Sequence, residues 1–123
     1  MISRVHGSIL QGIDAIACEI EADVVQTNAT EPEIRLVGLA DASVRESISR
    51  IQSALRNSGY RWPGPKVTIN LAPADVRKDS AAFDLPIAIA ALVAGGQAQS
   101  DLLDEFVIAG ELALDGRVRP IRG

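Results

Sequence analysis

The sequence predicts an α+β domain of two layers, in the order β-β-β-α-β-α-β-β, with the helices packed on one side of a mixed sheet. Three observations predict it. From Cys18 to Val24, apolar and acidic residues alternate with the two-residue period of a strand that buries one face. Between Asp41 and Gly59, the residues Val44, Ile48, Ile51 and Leu55 recur at helical spacing. From Lys66 to Ala94 an alternating run passes through a polar, proline-punctuated loop into an apolar helix.

Taken in order, Ser3 to Leu10 forms a first strand with Gly12 near its end. The second strand puts Cys18, Ile20, Ala22 and Val24 on one side and Glu19, Glu21 and Asp23 on the other. Carboxylates spaced along one strand face mark solvent more often than a metal site, so no metal ligands are assigned to them. Ile34 to Val37 returns as a third strand before Gly38. Asp41 supplies a helix cap and Asn57-Ser58-Gly59 a stop. The helix between them buries one stripe and turns Arg45, Glu46, Arg50, Gln52 and Arg56 toward other surfaces, with Glu46 and Arg50 at i,i+4.

In the central strand, Val67, Ile69 and Leu71 oppose Thr68 and Asn70, and the strand ends at Leu71. The loop that follows holds Asp75, Arg77, Lys78, Asp79 and Ser80 and is expected in solvent. Asp84 is read as the cap of the next helix, where Pro86 sits harmlessly in the first turn. Ile87 to Ala94 has almost no polar face, the mark of a helix buried on most sides. Phe106 to Ala109 reads as a buried strand, and Asp115-Gly116 as the turn of a closing hairpin between residues 112–114 and 117–119.

With 123 residues and 47% hydrophobic content, the chain suits one domain with one core. A net charge of −4 argues against a strongly basic nucleic-acid binder, while leaving room for a local basic patch. The single Cys18 makes no internal disulfide, reads as buried filler, and suits a reducing, cytoplasmic setting. No run approaches the length needed to cross a bilayer. His6 has no partner at metal-ligand spacing, and Trp62, between Arg61 and Pro63, reads as a cover for the core edge.

Five motifs occur in order: LVGLADASVRES, ALRNSG, NLAPAD, FDLPIA and GELALDGRVRPIRG. Together they resemble the amino-terminal domain of the magnesium-chelatase-like AAA+ proteins, the ComM and YifB family, over nearly the whole chain. The resemblance implies a ribosomal-protein-S5-domain-2-like fold, distantly similar to the Lon proteolytic domain. It also implies a single non-proteolytic domain over residues 1–123, with an AAA+ module beyond it in the parent protein. That module would bind ATP and Mg, form a homo-oligomeric ring, and act on DNA in branch migration during recombination of transforming DNA.

The Lon likeness raises a serine-lysine protease first. Its nucleophile needs a hydroxyl beside an activated amine, but the corresponding loop places Ala82 at that position. An ATPase needs a glycine-rich loop with a lysine and a hydroxyl residue, and Gly64-Pro65-Lys66 has neither the spacing nor the hydroxyl. The chain itself is therefore expected to be non-catalytic and to hold no cofactor or metal. Candidate contacts to DNA or to a partner are Arg45, Arg50, Arg56, Arg77 and Lys78. Arg77 and Lys78 stand among carboxylates, so each loop is weak alone. In a closed ring, several copies facing one axis would add through effective concentration. A protein-interaction or assembly module without DNA contact is the alternative.

Overall fold

The structure, a computed structural model, describes residues 1–27, 33–38, 41–74, 78 and 81–121, without the side chain of Gln11. Its strands are β1 (Ile2–Gln11), β2 (Asp14–Val25), β3 (Glu33–Val37), β4 (Lys66–Ala72), β5 (Glu111–Leu112) and β6 (Val118–Arg119). The helices are α1 (Ala42–Asn57) and α2 (Asp84–Ala94). The first four strands form one sheet in the order β1-β2-β4-β3, and β5 and β6 form a separate hairpin. β2 pairs antiparallel with both β1 and β4, whereas β3 pairs with β4 in parallel. The sheet is therefore mixed, and the fold is α+β with both helices on one side.

That one-sidedness follows from the alternation. In register, Val24 lies beside Val67 and Ala22 beside Ile69, while Ile34 and Leu36 flank Val67 and Ile69 on the other side. These rows meet Val44, Ile51, Ala54 and Leu55 of α1 and Ile87, Ala88 and Ala90 of α2 in one apolar core. The opposite face is open. There Arg4 pairs with Glu21 at 2.9 Å and with Glu19 at 3.6 Å, and Asn70 donates to Glu21 at 3.1 Å. The acidic side of β2 is thus tied to neighbouring strands and faces solvent.

α1 begins where Asp41 accepts hydrogen bonds from Ser43 N at 2.9 Å and Val44 N at 3.4 Å. Just before it, Gly38 has φ +105°, and a Cβ there would strike the Leu71 carbonyl of β4. The close crossing between the end of β3 and β4 therefore requires glycine. At the other end of α1, Ser58 and Gly59 donate back into the last turn. Trp62 packs against the core from the following loop, as its position between Arg61 and Pro63 predicts.

Two expectations need correction. Phe106 to Ala109 is not a buried strand: Phe106 and Val107 are 57% and 66% exposed, and Val107 makes one isolated parallel bridge to His6. After Ile108 N donates to His6 O at 2.8 Å, the chain leaves the edge of β1 and runs to the start of α2. There the buried Gly110 donates to Ala82 O and accepts from Leu85 N, each at 3.0 Å. Asp84, the second correction, caps nothing. It is the first residue of α2, the preceding Phe83 makes no side-chain cap, and the Gly110 carbonyl takes up the Leu85 N–H that a cap would have served.

Candidate functional site

Of the charged residues singled out from sequence, Arg50 bridges α1 to the start of α2, and Lys78 ties the loop after β4 to the cap of α1. Asp84 is the centre of the first of these links. Its carboxylate is fully buried and accepts from Arg50 Nε at 2.8 Å, from an Arg50 terminal nitrogen at 3.0 Å and from Leu112 N at 3.0 Å. The same Arg50 nitrogen donates to the hydroxyl of buried Ser47 at 3.1 Å. A forked guanidinium matched to a carboxylate is the strong form of this contact. The Arg50 guanidinium is pushed above its ordinary range, first by its hydrogen bond to Asp84, so it stays charged.

Arg50 is thus turned inward and not toward an outer surface as read from the helix pattern. A phosphate reaching it would have to displace a fully buried carboxylate. Glu46, at i−4, still acts on Arg50 through its charge, but the guanidinium is hydrogen-bonded to Asp84, 34 residues away.

Lys78 requires a similar correction. Expected in a solvated loop, its side chain is fully buried, and its ammonium donates to the Pro73 carbonyl. Its own carbonyl accepts from Asp41 N at 3.1 Å, tying the cap of α1 to the loop that leaves β4. Arg77 lies outside the described residues. Nearby, burial pushes the Cys18 thiol up, with the charge of Lys78 pulling partly the other way. Cys18 is therefore held as a neutral, buried thiol, as a filler residue is.

Arg45 and Arg56 remain on the outside, both exposed. Three helical turns separate them, so they stand nearly in line about 16 Å apart along α1. The positions between them on that stripe are filled by Ser49, Gln52 and Ser53, which carry no opposing charge. Of the five sequence candidates, these two are the ones the structure leaves both described and open to a partner.

Ala82 is buried, and its carbonyl is engaged by Gly110 N. His6 stands 3.4 Å from Asp104 at the edge of β1. Among the described residues, no group of three or more His, Cys, Asp or Glu could hold a metal ion, and no helix is long and apolar enough to cross a membrane.

Asp84 was missed as a hub. The signal available was a lone carboxylate abutting a helix with no polar face, a position whose burial demands a cation. Nothing local says which of twelve basic residues supplies it.

Known proteins place these residues in context. The family model for the ChlI subunit of Mg-chelatase matches residues 20–123. The uncharacterized protein YifB of Escherichia coli K12 is 43% identical over 122 residues, which are 99% of this chain and 24% of YifB. An uncharacterized Mycobacterium tuberculosis H37Rv protein is 38% identical over the same share of both chains. The competence protein ComM of Haemophilus influenzae is 39% identical over 99% of this chain and 23% of its own length. The chain thus spans about a quarter of the length of these relatives.

Proposed function

This chain belongs to the family of the Mg-chelatase ChlI subunit, and from that membership we propose that it is the accessory amino-terminal domain of a ring-forming AAA+ ATPase acting on DNA. It contributes contacts and positioning. ATP and Mg would be bound, and ATP hydrolysed, in the polypeptide that follows. The DNA process we favour is branch migration during recombination of transforming DNA, a reading to which the competence relative lends support.

The observation that carries the reading is the division of α1 into two charge environments. Arg50 is neutralised inside by Asp84, whereas Arg45 and Arg56 stand exposed and in line along the outside of α1. A row of exposed guanidinium groups on a rigid helix suits phosphate contact, and two such groups give the modest affinity expected of a part that works in a ring. Ala82 in place of a nucleophile supports a non-catalytic role.

The test is a DNA titration of the full-length protein at several salt concentrations, with ATPase activity measured alongside. Arg45→Ala with Arg56→Ala should lower the slope of log K against log salt by about one to two, the loss expected for two phosphate contacts. DNA-stimulated ATPase activity should fall with it. An unchanged slope together with unchanged stimulation would remove α1 from the DNA path. It would leave the second reading, an assembly module without DNA contact, which the apolar side of α2 favours.

A further inference from the structure

α2 carries no charged residue after Asp84, and a helix that is apolar all round is normally covered all round. Leu85, Ile89 and Val93, spaced at i, i+4 and i+8, nevertheless stay only half-buried. Leu85 and Ile89 open into a groove of about 150 Å³ between α2, the end of α1 and the closing hairpin. Leu55 and Leu112 form its floor, and Tyr60 and Val118, 43% and 56% exposed, form its rims. Ser58 is the one side chain with a polar group among the lining residues apart from the Tyr60 hydroxyl.

The walls of the groove are fixed in place. Asn57 Nδ2 donates to the Leu114 carbonyl at 2.8 Å, and Leu112 N donates to Asp84 at 3.0 Å, so the hairpin is anchored to both helices. At Gly116, φ is +95° and a Cβ would strike the Ser58 hydroxyl, so the turn lies directly on the end of α1. At Gly110, a Cβ would meet Leu85 and Val118 at 3.1 Å each, which places those two side chains beside one another at one end of the groove. A preformed apolar slot with rigid walls is ready to receive an apolar side chain or two.

We propose that this groove is the seat of the family polypeptide that follows β6, which docks an apolar segment against Leu85, Ile89 and Val118. The choice of occupant rests on position. β6, whose Val118 forms one rim, is the last strand among the described residues, and the matched region is the leading quarter of the YifB and ComM relatives. The polypeptide leaving β6 in those proteins therefore starts at the groove, at an effective concentration that no separate partner matches. The proposal rests on the reading of this chain as the first part of a longer one, but not on DNA binding. Docking here would hold the domain in a set orientation to the module that follows.

The test uses the full-length protein with a protease site inserted after Gly123. After cleavage the two pieces should co-elute in gel filtration, and Ile89→Asp should separate them while Ile89→Leu does not. Separation of the wild-type pieces, or co-elution that survives Ile89→Asp, would overturn the proposal. So would a freed amino-terminal piece that pairs with itself through this stripe. Because Ile89→Asp can impair folding, a gentler variant provides a second readout. In uncleaved protein, Ile89→Cys should react with a maleimide at least tenfold more slowly than Ser49→Cys on exposed α1, and equal rates would sink the idea. A loss of docking with DNA-stimulated ATPase still dependent on Arg45 and Arg56 would reject this inference alone.

Discussion

Asp84 and Leu85 are neighbours in sequence, and so are the two environments they enter, yet the corner around one and the groove beside the other are built on opposite terms. In the corner, two Arg50 nitrogens and Leu112 N donate to the buried carboxylate, and Ser47 accepts from Arg50 in turn. In the groove, Leu85 faces Val118 and water, although Val118 is paired in register with the same Leu112 that closes the corner. The contrast teaches how to rank features of this domain. A charged cluster whose members satisfy one another is architecture, and an apolar face left half-covered is an invitation to bind.

The comparison breaks hardest at Asp84. Asp84→Ala leaves Arg50 without its carboxylate and Leu112 N without an acceptor, and the expected loss is about 3 kcal/mol, at the low end for a buried pair because Arg50 is partly in water. Urea unfolding checks this, and a loss below about 1 kcal/mol would mean that the corner is not the fastening described. Leu55→Ala comes next. Leu55 floors the groove and is 5% exposed, so removing it should cost about 2 to 4 kcal/mol through a cavity beneath α1. A loss under about 0.5 kcal/mol would place that floor outside the core and blur the contrast.

The smallest effect lies in the turn of the hairpin that joins corner to groove. The Asp115 carboxyl is held below its ordinary range, first by a hydrogen bond from Arg117 N at 3.1 Å and also by the Arg117 side chain at 2.9 Å. Because the folded value is the lower one, its contribution to stability is present above the ordinary carboxylate range. It fades as pH falls through the folded value. Carbon-detected NMR titration should show the depressed value, and Arg117→Ala should restore only part of it, since the backbone donor survives. Full restoration would assign the effect to the side chain alone.

The repeating elements are legible in the sequence alone. β2 buries Cys18, Ile20, Ala22 and Val24 as the alternation requires, α1 starts at its Asp41 cap, and the Asp115-Gly116 turn closes a hairpin. The resemblance carried by the five motifs agrees with the family match over residues 20–123. The candidate site was legible only in part. Arg45 and Arg56 lie on the surface of α1, whereas Arg50 and Lys78, equally charged in sequence, went inside.

The sequence by itself determined the strands β1, β2 and β4, the helices α1 and α2 and which of their faces are apolar, because periods of 2 and 3.6 are written among near neighbours. It could not say where a single charge finds its partner. Asp84 meets Arg50 across 34 residues and Leu112 N across 28, and those separations vanish only when α1, α2 and the hairpin pack together. The same packing stopped Phe106 and Val107 short of burial and left Leu85 and Ile89 at an open groove. The tertiary structure decided these things because desolvation acts on a side chain through all the elements around it, and local spacing describes only one of them.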